Sequence, residues 1–102
     1  MSKRKNGRKR KPHYDKDRRE LRLGEEVVKQ FKQRAPNQEA VLLALQEDGW
    51  PPRIDDPQPP KDGLDAKRRL HDTINNLNRH QKTARIHFYA DGRGEGVLWE
   101  LP

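Results

Sequence analysis

Hydrophobic positions cluster from Leu21 onward and first alternate with polar ones. The stretch LRLGEEVVKQF, residues 21–31, alternates on both sides of Gly24. Alternation of this kind is typical of short strands, here two strands joined by a turn. The same apolar positions also recur at helical spacing, so a helix over 20–33 is the alternative. The glycine and the two valines favour the strands.

Helical spacing follows in APNQEAVLLALQEDGW and predicts a helix over 37–48. Asn37 is the expected N-cap, and Glu39 lies in the first turn, where the helix dipole favours a negative charge. Gly49 is placed to end the helix, and Trp50 is expected to pack back on it. The predicted buried stripe consists of Val41, Leu42 and Leu45, with Ala44 beside it.

A proline-rich segment separates this helix from the next. Residues 51–63, PPRIDDPQPPKDG, hold five of the eight prolines. Proline removes a backbone donor and disfavours helix in the residue before it. The segment is therefore predicted to be an extended linker across the surface, anchored to the core by Ile54.

A second helix is predicted over 65–81, with Asp65 as its N-cap. Its apolar face carries Ala66, Leu70, Ile74 and Leu77. Its opposite face carries Arg68, Asp72, Asn75, Asn76 and Arg79, with His71, Asn78 and Lys82 on the flank. Asparagine is a mediocre helix former, so three asparagines in one short stretch indicate a purpose other than helix stability.

Residues 84–101, ARIHFYADGRGEGVLWEL, predict a β-hairpin. Apolar residues alternate along the first strand, and Val97, Trp99 and Leu101 face them from the return strand. The turn DGRGEG supplies glycines that readily adopt the positive φ of hairpin turns. Arg93 is expected at its tip.

The order of these elements resembles the OmpR/PhoB-type effector domain of bacterial response regulators, a winged-helix DNA-binding domain. The stretches GWPPRIDDP, RLHDTINNLNR and DGRGEGVLWE are also similar to a bacterial domain of unknown activity. The predicted fold class is α+β: a small winged-helix-like domain over 20–102, with N-terminal strands, two main helices and a C-terminal hairpin wing. Residues 51–63 depart from the pattern, because a third short helix is expected there.

The resemblance implies duplex DNA binding in transcriptional regulation, with helix 65–81 in the major groove and the hairpin on the backbone or in the minor groove. The side chains suit that role, since an asparagine amide matches adenine N6 and N7, and arginine matches guanine O6 and N7 or a phosphate. The candidate residues are Arg68, His71, Asn75, Asn78, Arg79, Lys82 and Arg93. The alternative is that the asparagines are solvated or that one caps a local backbone group.

Charge is a separate signal, because the net +7 is unevenly distributed. Residues 1–19 hold ten Lys and Arg against two Asp, whereas 20–102 carries −1. We expect 1–19 to be a disordered basic arm that binds phosphates without sequence preference. Its candidate contacts are Lys3, Arg4, Lys5, Arg8, Lys9, Arg10 and Lys11. A solubilising arm, or one that docks on an acidic protein, is the alternative.

Composition leaves little room for catalysis. The chain has no cysteine, and its one serine is Ser2 in the arm, which excludes serine or cysteine nucleophiles. The four histidines lack ligand spacing, and GRGEG is typical of a hairpin turn, so no metal or cofactor is expected. We expect a cytoplasmic, non-enzymatic protein without a membrane span, nucleoid-associated if it binds DNA. A protein–protein interaction adaptor, an RNA- or ribosome-associated role for the arm, and a homodimer stay open.

Overall fold

Three short strands near the N-terminus form one antiparallel sheet in chain order. The structure, a computed structural model, describes residues 11–59 and 65–102. The strands are β1 (Pro12–Asp15), β2 (Glu20–Leu23) and β3 (Glu26–Gln30). Gly24, with φ 63°, makes the tight turn between β2 and β3. The predicted strand pair is confirmed, and the helix alternative over 20–33 is wrong.

β1 lies inside the segment predicted to be a disordered arm, so the arm ends earlier than residue 19. Tyr14 is only 2% exposed and packs edge-on against Phe31, with ring centroids 6.0 Å apart. Pro12 is buried as well, whereas His13 between them is exposed. Two apolar residues at strand spacing thus join β1 to the core, although the surrounding cations dominate the composition.

α1 (Pro36–Glu47) confirms the first predicted helix. Its N-cap is Ala35 rather than Asn37, because Pro36 already occupies the first helical position, where its missing N–H breaks no hydrogen bond. Glu39 accepts a hydrogen bond from the Ala35 N–H at 2.9 Å and so closes the first turn. The predicted buried stripe is confirmed, with no exposure at Val41, Leu42 or Leu45.

Trp50 connects the end of α1 to the second sheet. Gly49 adopts φ 78°, as the predicted helix stop requires. The Trp50 N–H then donates to the Leu45 carbonyl at 2.7 Å. The indole ring is 5% exposed and packs edge-on against Trp99, with centroids 5.5 Å apart. The expected return of this tryptophan onto the helix is confirmed.

The proline-rich segment contains a strand that the sequence did not predict. β4 (Arg53–Asp55) pairs antiparallel with the last strand, with Ile54 opposite Val97. Ile54 is 6% exposed, so the expected anchor is confirmed, but the segment is more than a linker. A three-residue strand with one buried side chain offers no alternation to detect. The described part of this segment, 51–59, contains no helix.

α2 (Ala66–Asn78) confirms the second predicted helix but ends three residues early. Asp65 caps it and accepts hydrogen bonds from the backbone N–H groups of Lys67 (3.0 Å) and Arg68 (3.4 Å). The helix stops because Arg79 is extended and His80 has φ 59°. Its buried face is formed by Leu70, Thr73, Ile74 and Leu77; Ala66, expected there, is exposed.

The predicted hairpin is confirmed as β5 (His87–Ala90) and β6 (Gly96–Glu100). With β4 it forms a second antiparallel sheet in the order β4-β6-β5. Phe88 and Val97 are completely buried in a core shared by both sheets and both helices. The chain is thus a small α+β domain with two helices and two small antiparallel sheets.

Candidate nucleic-acid interface

The exposed face of α2 is formed by Arg68 and Asn75 on the helix and by Arg79, the extended residue that directly follows it, and all three are exposed as predicted. No carboxylate oxygen of the described residues lies within 4.0 Å of either guanidinium. The Asn75 Nδ2 lies 3.1 Å from the His71 Nε2, one helical turn away. Among the described residues, this face therefore has two cations without a carboxylate partner and an amide–imidazole pair.

Asn78 has a different environment from the other two asparagines. Its Nδ2 donates to the Phe88 carbonyl at 2.9 Å, and its Oδ1 accepts from the Phe88 N–H at 2.9 Å. Both groups that could match an adenine edge are therefore occupied by the β5 backbone. Asn78 therefore binds a backbone group, as the alternative expected of one asparagine, but that group lies in β5 and is not local. We remove Asn78 from the candidate contacts. Asn75 and Asn76 remain exposed.

The chain after α2 turns back to the first sheet. The Lys82 N–H donates to the Val28 carbonyl at 2.7 Å, which ties the end of α2 to β3. The side chains of Arg79, His80 and Lys82 are exposed around this connection. Lys82 therefore lies next to β3, beside the end of α2.

The hairpin turn, residues 91–95, is organised by Asp91. Its carboxylate accepts from the backbone N–H groups of Arg93 (2.9 Å) and Glu95 (3.2 Å) and from the Arg53 guanidinium (2.9 Å). Arg53 in particular holds the pKa of Asp91 well below its usual range. Asp91 is therefore ionised at neutral pH and fixes the turn that carries Arg93.

The hairpin turn lies against the first turn of α2. Gly94 adopts φ 73°, and a Cβ at this position would lie 2.9 Å from the Lys67 Cγ. Glycine therefore allows the Lys67 stem to pack across the turn. Arg93 is exposed at the tip and lies 3.9 Å from the Glu95 carboxylate. The hairpin turn that carries Arg93 therefore packs against the first turn of α2.

Lys29 is a site residue that the sequence interpretation missed. It is only 6% exposed, and its ammonium donates to the Gln38 Oε1 at 3.0 Å and to the carbonyls of Asn76 and Leu77 at the end of α2. Burial lowers the pKa of Lys29 to about 8, so the cation still predominates at pH 7. The sequence did contain a signal for the burial of Lys29, because residues two apart in a strand share a face and Phe31 is on the buried one.

A basic cleft opens beside Lys29, between β3, the start of α1 and the end of α2. Its volume is about 520 Å³, and its cations are Lys29, Lys32, Arg34 and Lys82, with His80 at the rim. No carboxylate lines it. Among the described residues, Arg22, Arg53, Arg85 and Arg93 each have a carboxylate within 4.0 Å, and none of the cleft cations does.

The arm cations Lys3, Arg4, Lys5, Arg8, Lys9 and Arg10 lie outside the described residues, and Lys11 is exposed next to β1. Within the described ranges no group of three His, Asp or Glu could hold a metal ion. No described helix is long and apolar enough to cross a membrane.

Comparison of the chain with protein-family models, with curated proteins and with solved structures finds no match in any of the three. Function must therefore be inferred from the residues and their geometry. Two surfaces carry unpaired positive charge in the described chain: the exposed face of α2 and the basic cleft beside it. The two surfaces are neighbours, because Asn76 lines the cleft and directly follows Asn75 of the exposed face.

Proposed function

We propose that the domain binds duplex DNA, with α2 in the major groove and the hairpin turn on the neighbouring backbone, as a winged-helix transcriptional regulator. The observation that carries the proposal is the exposed face of α2. Arg68 and Asn75 lie on one side of the helix and Arg79 directly follows its end, and no described carboxylate lies within 4.0 Å of either guanidinium. Arginine and asparagine are side chains that read guanine and adenine in the major groove.

The packing of the hairpin supports the winged-helix interpretation. Asn78 joins the end of α2 to β5, and Lys67 joins its beginning to the hairpin turn. The hairpin is therefore fixed beside α2 at both ends of the helix. A groove that receives the exposed face of α2 would place phosphates next to Arg93 at the tip.

The third helix of the winged-helix pattern has no counterpart in 51–59, so other contacts must hold α2 in position. Lys29 bonds the last carbonyls of α2, and Lys82 joins the following segment to β3. These contacts fix the helix against the N-terminal sheet. We infer that this sheet takes over the supporting role of the missing helix.

The test uses residues 11–102, which keep β1 and omit the first ten residues. Fluorescence anisotropy of a labelled random duplex is measured at low and moderate salt, with an Arg68→Ala/Asn75→Ala/Arg79→Ala variant alongside. We expect binding by residues 11–102 and a loss of roughly 1–3 kcal/mol for each base contact removed. Lys16→Ala/Arg18→Ala, in the β1–β2 turn, is the control for lost charge. No binding by 11–102, or equal losses in both variants, would refute the proposal.

A protein–protein adaptor is the second candidate, and one observation favours it. Tyr89 and Leu98 are cross-strand neighbours on the outer side of the second sheet, and both are only half-buried. With Arg53 and Arg93 they line a shallow cavity of about 420 Å³. An adaptor would leave residues 11–102 without duplex affinity, whereas Tyr89→Ala/Leu98→Ala would abolish capture of its protein partner.

A further inference from the structure

The basic cleft collects positive charge from separate parts of the chain. Lys29 belongs to β3, Lys32 and Arg34 to the connection that leads into α1, and Lys82 to the segment after α2. Gln38 and Asn76 are among the uncharged residues that line it. Residues distant in sequence thus converge on one concavity that contains hydrogen-bond donors and no acid.

Lys29 makes this cleft suitable for an anion despite the helix end beside it. The C-terminus of a helix carries a partial negative charge of about half an elementary charge, which would repel a phosphate. Here the Lys29 ammonium binds the Asn76 and Leu77 carbonyls and neutralises that end of α2. The other cations of the cleft are exposed and have no described carboxylate partner.

The start of α1 lies next to the cleft and adds partial positive charge to it. The first turn of a helix has unpaired N–H groups and a partial positive charge, and α1 begins at Pro36, next to the cleft residues Arg34 and Ala35. Glu39 is the acid of this first turn, and its carboxylate, bonded to the Ala35 N–H, offsets part of that positive charge. Residues that line the cleft also adjoin the exposed face of α2 through Asn76.

We propose that the basic cleft binds a backbone phosphate of the nucleic acid that α2 reads. The inference rests on the proposed function and adds a second contact surface to it. A phosphodiester in the cleft would be held by Lys32, Arg34 and Lys82, while Lys29 stays bonded to the helix end. Contacts of this kind carry no sequence information but fix the orientation of a reading helix.

The first experiment measures the salt dependence of duplex binding by the full chain. Lys32→Ala/Arg34→Ala removes one lysine and one arginine from the cleft, and Lys16→Ala/Arg18→Ala removes the same pair from the β1–β2 turn. Each neutralised phosphate contributes about 0.9 to the slope of log Kobs against log salt. We expect the cleft variant to reduce the slope by about 1 and the turn variant to leave it unchanged. Equal slopes in the two variants would overturn the proposal.

The second experiment measures anion binding in the cleft independently of duplex binding. The full chain, labelled with ¹⁵N, is titrated with inorganic tripolyphosphate, and the amide shifts of residues 32–38 and 80–82 are followed. Saturable shifts that Lys32→Ala/Arg34→Ala abolishes, in a protein that fails to bind duplex, would refute the proposed function and retain an anion site. The same shifts combined with equal duplex slopes would assign the cleft to free polyphosphate and overturn the backbone-phosphate proposal.

Discussion

Lys29 is a charged residue whose structural role, binding the end of α2, could not be predicted from its position in the sequence. Strand alternation places this charged residue on the same face as Phe31, and its ammonium lies 5.2 Å from the centroid of the Phe31 ring and is bonded to the end of α2. A buried ammonium costs free energy unless it is compensated, and the carbonyls of Asn76 and Leu77 provide the compensation. Its partners come from a helix more than forty residues away, which local pattern cannot reveal.

The pKa of Lys29 predicts how stability depends on pH. It is about 8 in the folded protein and 10.5 when the lysine is solvated, so between pH 8 and 10 the unfolded chain binds more protons. The free energy of unfolding should therefore rise with pH in this window, by about 1–2 kcal/mol. Burial raises the pKa of Tyr14 to about 12, which lowers stability only above pH 10. Urea denaturation of wild type and Lys29→Met over this pH range tests the prediction. If the free energy of unfolding changed with pH in the same way in both proteins, the prediction would be contradicted.

Asn78 and Asn75 provide a matched pair for separating structural from exposed asparagines. Asn78→Ala leaves the Phe88 N–H and carbonyl without their partner, and we expect a loss of about 2 kcal/mol of unfolding free energy. Asn75→Ala lies on the exposed face and should change stability by less than about 0.5 kcal/mol. Thermal or urea unfolding measures the loss of unfolding free energy in each variant. Similar losses in the two variants would show that Asn78 is not structural.

At the scale of elements, the sequence predicted the helices and strands whose apolar spacing repeats several times and missed those with only one or two buried positions. α1, α2 and the hairpin were predictable, since each repeats its apolar spacing over several positions. β1 and β4 have only one or two buried side chains each, in charged and proline-rich surroundings, and were missed. α2 ends at Asn78, whose amide bonds the Phe88 backbone in a tertiary contact that the helical pattern does not contain.

β1 yields a prediction at this scale. Tyr14→Ala removes an aromatic side chain that is 2% exposed and packed on Phe31, so we expect a loss of about 3 kcal/mol of unfolding free energy. Lys16→Ala in the adjoining turn should stay within about 0.5 kcal/mol of wild type. Chemical denaturation provides the comparison. An unchanged midpoint for Tyr14→Ala would mean that β1 adds nothing to the core and that the arm does extend to residue 19.

At the scale of the whole molecule, the net charge is unevenly distributed between two parts of the chain. Residues 1–10 hold six Lys and Arg and no acid, whereas 11–102 is close to neutral. The cationic face of α2 was predictable from helical periodicity, and the arm from composition. The basic cleft was not, because β3, the start of α1 and the end of α2 meet only through tertiary packing.

This division predicts that arm and domain contribute separately to DNA binding. Each phosphate contact adds about 0.9 to the salt slope, so removing residues 1–10 should lower the slope by up to about 5. Arg79→Ala should cost roughly 1–3 kcal/mol in the full chain and in 11–102 alike, since distant sites contribute additively. Anisotropy titrations of these four proteins over a salt series measure both quantities. An unchanged slope would exclude the arm as a contact, and an Arg79→Ala effect confined to the full chain would mean that α2 binds DNA only when the arm holds it there.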